Sequence, residues 1–163
     1  GANTTNITRM TNMLQDCEHL TSVALFDTSN VTNMATMFAG CSNLTSVPLF
    51  DTSNVTSARS MFSNCTSLVT VPLFDTSSVT NMRSMFDGCS SLTSIPLFNT
   101  TRATNLNWMF SGCRKVESGA LALYHQASSQ TNPPSSHNGT FYRCGTDTTT
   151  GAAELAQIPS NWK

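Results

Sequence analysis

The fold of this chain is decided by the stretch Leu44-Thr-Ser-Val-Pro-Leu-Phe-Asp-Thr-Ser-Asn-Val-Thr-Ser-Ala-Arg-Ser-Met-Phe-Ser-Asn-Cys65, because variants of it recur along the sequence. Five cysteines lie 24 residues apart and mark the recurrence: Cys17, Cys41, Cys65, Cys89 and Cys113. A fixed period of about 20–50 residues is typical of a solenoid, in which each repeat packs on its neighbours. The sequence therefore predicts a solenoid with one 24-residue rung per period.

The first half of each rung predicts a short β-strand. Three, six and eight residues after the cysteine the chain is apolar, as at Leu44, Val47 and Leu49. This spacing, L-x-x-L-x-L, resembles that of a leucine-rich-repeat strand. The Val-x-Leu part alternates with period two, so both side chains are expected on the inward face of a parallel sheet. The leucines in this inward column are Leu25, Leu49, Leu73, Leu97 and Leu121.

The second half of each rung predicts a short helix. In one rung the apolar residues are Val31, Met34, Met37, Phe38 and Cys41. Offsets of three, four and seven residues place them on one helical stripe. The residue before each cysteine is Asp, Gly or Asn, which tolerates the left-handed conformation that ends a helix.

The strings Phe26-Asp-Thr-Ser-Asn-Val-Thr-Asn-Met-Ala-Thr-Met-Phe-Ala-Gly-Cys41 and Val79-Thr-Asn-Met-Arg-Ser-Met-Phe-Asp-Gly-Cys89 resemble the BspA-like leucine-rich repeats of bacterial surface proteins. The resemblance covers residues 3–121. It implies an α/β fold, a right-handed leucine-rich-repeat solenoid of about six rungs, with a parallel sheet on one face and short helices on the other. Relatives of this type include adhesins, and the family carries no catalytic residues to transfer. Pro48, Pro72 and Pro96 depart from the usual strand pattern.

The chain is expected to form one solenoid domain with three parts: a degenerate N-terminal rung at 1–24, regular repeats at 25–116, and an irregular rung with a C-terminal cap at 117–163. Ala120 to Gln130 predicts a helix that ends before Pro133-Pro134. Thr140-Phe-Tyr-Arg-Cys144 repeats the Met-Phe-x-x-Cys pattern, and about eight residues around 145–152 are interpreted as an insertion. The sequence begins in mid-repeat, so we expect a piece of a longer protein whose signal or anchor lies outside it.

The composition limits the partners. Charged residues make up 10% of the chain, against about 25% in typical proteins, and the net charge is −1. No basic stripe is available for nucleic acid, and no apolar run is long enough to insert into a membrane. The chain is expected to be monomeric and to lie outside the cell or at the bacterial surface.

The cysteine column is predicted to hold free, buried thiols. Neighbouring cysteines could meet the distance that a disulfide requires, but a column that recurs in phase is better explained by a small apolar residue facing the core. Zinc is disfavoured because there is no C-x-x-C motif and histidines are sparse. No cofactor or metal is expected.

Asp27, Asp51 and Asp75 form an aspartate column that Asn99 continues. The simplest interpretation is that each side chain accepts hydrogen bonds from backbone N–H groups of the following turn. Two alternatives are calcium bridging between rungs and a general acid/base pair. The acid/base pair lacks a partner residue in register.

The candidate binding residues are aromatic: Phe26, Phe50, Phe74, Phe98 and Trp108. Strict alternation places the four phenylalanines outward, as a continuous apolar stripe of the kind that marks binding sites. The alternative is that the chain turns after the leucine and tucks each ring into the core. Trp108 either packs against the cap helix or is exposed for stacking on a sugar.

The predicted function is recognition rather than catalysis, because no nucleophile and base pair, metal motif or phosphate-binding glycine loop occurs in the sequence. We expect a cell-surface or secreted adhesion module that binds a host protein, a cell-surface component or a glycan. The alternative is a structural spacer within a larger bacterial surface protein or phage tail fibre.

Overall fold

Backbone hydrogen bonds between residues 23 or 24 positions apart hold the solenoid together in the computed structural model, which describes residues 3–163. The N–H groups of Met34 and Phe38 donate to the carbonyls of Ser57 and Met61 in the next rung, at 3.0 and 2.9 Å. The pattern repeats along the chain and continues into the irregular rung. Parallel single-residue bridges join residues 24 positions apart: Arg9 to Asn33, Asn33 to Ser57, Ser57 to Asn81, and Asn81 to Asn105. A further bridge, from Asn105 to Ser136, spans 31 positions and enters the irregular rung. Gly1 and Ala2 of the predicted N-terminal rung lie outside the described residues.

The prediction of a short helix in each regular rung is wrong, because the structure has no helix there. The segment before each cysteine is a series of tight turns, with Thr36 and Gly40 in left-handed conformation at φ 58° and 77°. Its N–H groups bond alternately to the next rung and to the carbonyl three residues back, as from Met37 to Met34 at 3.2 Å. A coil whose left-handed residues recur every four positions buries nearly the same residues as a helix does, which explains why the apolar spacing suggested one.

The predicted parallel sheet is reduced to a few contacts in the described residues. The Val-x-Leu segments contain no extended strand, and pairing on this side consists of bonds such as Val69 N–H to Thr45 O at 3.2 Å, with a bridge between Ser94 and Ser118. Pro48, Pro72 and Pro96 in three of these segments have no N–H to donate to a ladder. The segments therefore stack without forming strands.

The inward position predicted for the leucine column is also wrong for the four regular rungs. The N–H of Phe50 donates to the carbonyl of Pro48 at 3.0 Å, and the same bond recurs from Phe74 to Pro72 at 2.9 Å. A hydrogen bond spanning two residues closes a γ-turn, with the leucine at its apex. The turn directs the leucine outward and returns the phenylalanine to the core.

The core is a continuous column of aromatic rings. Phe38, Phe62, Phe86 and Phe110 are fully buried and stack nearly parallel, with ring centroids 5.3, 5.4 and 5.2 Å apart in order. Phe141 of the irregular rung continues the stack at 6.1 Å. Met37 and Phe38, which the sequence places on the apolar stripe of their rung, are both buried, as are the equivalent Met61 and Phe62.

The C-terminal end of the core is covered by a cap. The helix predicted over 120–130 is confirmed as α1, Ala120–Ser129, and a second helix, α2, spans Thr149–Ala156. The 3₁₀ helix Ser160–Trp162 follows. Trp162 is buried, stacks on His137 at 4.2 Å and meets the edge of Tyr124 at 5.3 Å. None of the helices within residues 3–163 is long and apolar enough to cross a membrane.

Candidate binding surface

The phenylalanines proposed as binding residues lie in the core. Phe50, Phe74 and Phe98 are at most 2% exposed, and Phe26 is partly buried against Phe50 at 5.1 Å between ring centroids. The predicted outward stripe of aromatic rings is therefore wrong. The alternative, in which the chain turns and tucks each ring inward, describes the fold, because the γ-turn at each proline reverses the alternation.

Trp108 is partly buried and has a left-handed backbone, with φ 60°. Its indole ring covers Gly139, where a Cβ atom would overlap the ring, and its edge meets Tyr142 with centroids 6.0 Å apart. Trp108 therefore packs against the segment between α1 and α2. This contact differs from the predicted packing against the cap helix itself.

The exposed apolar residues of the regular rungs form one row, which we call the leucine stripe. Its members are Leu25, Leu49, Leu73 and Leu97. Their exposed fractions lie between 50% and 65%, whereas the phenylalanine that follows each of the last three is buried. Because the side chains recur once per rung, they line up along the solenoid axis at the spacing of the rungs.

The aspartate column borders the leucine stripe. Asp75 Oδ1 accepts the N–H of Ser77 at 3.0 Å and its hydroxyl at 2.5 Å, and Asp51 makes the same two bonds with Ser53. Asn99 Oδ1 accepts the equivalent N–H from Thr101 at 2.9 Å. These bonds confirm the predicted turn-capping role of the column.

The same hydrogen bonds favour the charged form of Asp27 and Asp75. Donation from the Ser29 hydroxyl, and then from the Ser29 N–H, lowers the pKa of Asp27 below its usual value. The equivalent bonds from Ser77 lower the pKa of Asp75. The Thr5 side chain also lowers the pKa of Asp27 through a hydrogen bond. In Asp51 and Asp75 both bonds of the turn reach Oδ1, so Oδ2 takes part in neither of them.

Shallow depressions lie between the first three leucines of the stripe. One, of about 400 Å³, is lined by Leu25 and Leu49 together with Asp27 and Asp51. The next, of about 310 Å³, is lined by Leu49 and Leu73 together with Asp51 and Asp75. Each depression therefore has both apolar walls and carboxylates.

Buried threonines hold the turns beneath the stripe in register. The hydroxyl of Thr52 donates to the carbonyl of Asp75 at 2.6 Å, and that of Thr76 donates to the carbonyl of Asn99 at 2.7 Å. Each bond joins one rung to the next. The leucines and aspartates thus stand on a backbone that is fixed both within and between rungs.

The cysteines are free, as predicted, and five of the six are buried. The thiol of Cys65 donates to the carbonyl of Phe38 at 3.1 Å, and burial raises its pKa to about 12. Burial also raises the pKa of Cys89 and Cys113. A buried neutral thiol is a poor nucleophile, so the column is structural. Residues 3–163 contain no group of three or more His, Cys, Asp or Glu side chains placed to hold a metal.

The leucine stripe was missed by the sequence reasoning, although a signal for it was present. Each of Leu49, Leu73 and Leu97 follows a proline, and a proline cannot extend a strand ladder at that point. A chain that turns at the proline returns the phenylalanine to the core, so the leucine between the two must point outward.

Solved structures with similar folds are leucine-rich repeat proteins. One from Bacteroides ovatus is 23% identical with a TM-score of 0.51, covering 68% of this chain and 27% of that protein. One from Eubacterium ventriosum is 20% identical with a TM-score of 0.53, covering 81% of this chain and 35% of that protein. A leucine rich cell surface protein from Faecalibacterium prausnitzii is 26% identical with a TM-score of 0.46, covering 71% of this chain and 33% of that protein. This chain thus spans about a third or less of their lengths.

No curated protein matches the chain. The repeat is of the BspA-like leucine-rich type, as its motifs indicated. A family model described as "Mycoplasma protein of unknown function, DUF285" matches residues 1–73 and again residues 70–132. The two matches together span most of the sequence, and the chain belongs to the DUF285 family.

Proposed function

We propose that this chain is a non-catalytic recognition module, displayed at a bacterial cell surface or secreted, that binds a host protein or another cell-surface component through the leucine stripe. The observation that carries the proposal is the row of four leucines that remain half or more exposed in register. Continuous exposed apolar patches mark interaction sites, because their burial by a partner is favourable.

The fixed backbone beneath the stripe supports the proposal. Binding costs less when the contact residues are already ordered, and the ladders between rungs provide that order. A protein partner is favoured over a glycan, because sugar recognition was expected from exposed aromatic rings. Phe50, Phe74 and Phe98 are buried, and Trp108 is only partly exposed.

Several finer features belong to the same proposal. The solenoid is right-handed, has about six rungs and is divided at 24 and 116 as the sequence suggested. The module works as a monomer, without cofactor, nucleic acid or membrane insertion. The resemblance to bacterial surface proteins supports its location outside the cell, and a net charge of −1 gives no attraction to nucleic acid.

The alternative is a structural spacer within a larger surface protein or phage tail fibre. The continuous hydrogen-bond ladder and the fully buried aromatic column favour this role, because they would stiffen a long solenoid. A spacer has no use for an exposed leucine in each regular rung, which places the binding role first.

The test compares the parent with a Leu49→Gln/Leu73→Gln variant on arrays of host matrix proteins, bacterial surface proteins and glycans. Val69→Thr is the matched control, since Val69 is 42% exposed, lies outside the leucine stripe and is replaced by threonine at the equivalent positions Thr45 and Thr93. We expect a protein target that the parent and the control bind and the double variant does not. Equal binding by all three would contradict the role of the stripe, and the absence of any target would favour the spacer.

A further inference from the structure

We propose that the occupant of the leucine stripe is an amphipathic α-helix of the partner, laid lengthwise along the solenoid, with its apolar seam on the leucines and a row of Lys or Arg beside the aspartates. This inference rests on the proposed function and names the class of partner.

The spacing of the rungs matches the apolar repeat of a helix. Ring centroids in the core column repeat at 5.3, 5.4 and 5.2 Å, which gives the distance between equivalent core positions of neighbouring rungs. A helix rises about 1.5 Å per residue, so apolar residues recurring every 3.5 positions lie about 5.3 Å apart along its axis. Such a seam stays in phase with the stripe from Leu25 to Leu97.

An extended strand laid lengthwise does not match. Side chains on one face of a strand recur about every 6.7 Å. Over the three intervals from Leu25 to Leu97 the strand would drift from the stripe by about 4 Å, which is most of one rung. Only one or two of its side chains could then reach a depression.

The depressions provide sites for the seam residues. Each lies between two leucines, as Leu49 and Leu73 enclose the one of about 310 Å³. Apolar side chains of the helix would enter these depressions while the leucines enter the gaps on the helix. This is the knobs-into-holes arrangement of packed helices, with the solenoid in place of the second helix.

The charges determine what flanks the seam. Asp27, Asp51 and Asp75 border the stripe on three successive rungs, and in Asp51 and Asp75 one oxygen takes no part in the bonds of the turn. A helix with Lys or Arg at every third or fourth position beside its seam places one cation near each carboxylate. A second copy of this chain would instead bring the same three carboxylates, so it is the less favourable occupant.

The probe is a labelled synthetic helix of about three heptads, with Leu at the two apolar seam positions of each heptad and Lys at the positions beside them. One control peptide has the same composition with Leu at every second position, and another carries Glu in place of Lys. Fluorescence anisotropy at low and high salt measures their binding to the intact chain, with the labelled peptide kept dilute enough to be monomeric.

We expect the Lys helix to bind and both control peptides to bind at least about tenfold more weakly. Leu49→Gln/Leu73→Gln should weaken binding of the Lys helix about tenfold or more, while Val69→Thr leaves it unchanged. Asp51→Asn/Asp75→Asn should weaken binding several-fold and reduce its salt dependence. Asparagine preserves the turn, since Asn99 already makes the equivalent bond.

Three outcomes would overturn the proposal of a helical partner. The control peptide with Leu at every second position could bind as tightly as the Lys helix or more tightly, the leucine substitutions could leave binding of the Lys helix unchanged, or the Lys helix could show no saturable binding. A dimer of the parent that the leucine substitutions dissociate would assign the stripe to a second copy instead. The proposed function is tested separately. If an array target is lost with the leucine substitutions while the Lys helix does not bind, the stripe is a binding site and the helical partner is wrong.

Discussion

Adjacent residues Leu73 and Phe74 separate the observed fold from the one that strict alternation predicts. Phe74 is 2% exposed and packs on Phe62 with ring centroids 6.0 Å apart, whereas Leu73 is 58% exposed. Replacing a buried Phe with Ala costs about 3–5 kcal/mol of unfolding free energy, through lost burial and the cavity that remains. Full burial of a Leu is worth about 1.5–3 kcal/mol, and Leu73 gains less than half of that, so Leu73→Ala should cost about 1 kcal/mol or less.

Urea unfolding, followed by circular dichroism, measures the free energy of unfolding of the parent and of the variants Leu73→Ala and Phe74→Ala. In thermal melts the expected losses correspond to about 6–20 °C for Phe74→Ala and no more than about 4 °C for Leu73→Ala. Phe74→Leu is a useful control, because it keeps an apolar side chain and should fall between the two. Equal losses, or a larger loss at Leu73, would refute the inward phenylalanine and the outward leucine together.

Three further predictions test the core, the turns and the cap. In the folded protein a thiol reagent should reach at most the partly exposed Cys17, and unfolding should make all six thiols reactive; two or fewer reactive thiols would reveal disulfides. Because hydrogen bonds lower the pKa of Asp75 in the folded state, that carboxylate stabilises the fold above about pH 4 and less as the pH falls below it. Asp75→Asn should therefore make the urea midpoint depend less on pH between pH 5 and pH 2, and an unchanged dependence would contradict this. Gly139→Ala should cost more than about 1 kcal/mol, because of its positive φ and overlap with the Trp108 ring. Part of that loss should return in a Trp108→Ala background, and strict additivity in the double-mutant cycle would exclude the contact.

The burial pattern could be read from the sequence wherever it depends on period alone. The 24-residue recurrence requires equivalent residues to stack, so the free buried cysteines and the buried Met-Phe pairs followed directly. The aspartate turns were also predictable, because an Asx bond joins residues two positions apart and needs no tertiary partner. The cap helix could be predicted because Pro133 and Pro134 limit it.

The local conformation within each rung was decided by tertiary structure. A helix and a chain of tight turns bury nearly the same residues, and the choice between them depends on where the backbone N–H groups find acceptors. In this fold those of Met34 and Phe38 find them in the neighbouring rung. The outward leucines at 49, 73 and 97 have a local cause instead, since a γ-turn at each proline, closed by a bond between residues two positions apart, reverses the expected alternation. Periodicity in a sequence determines which positions are equivalent, but only the stacked rungs determine that the segment before each cysteine forms turns instead of a helix, because the acceptors of Met34 and Phe38 lie 23 residues away.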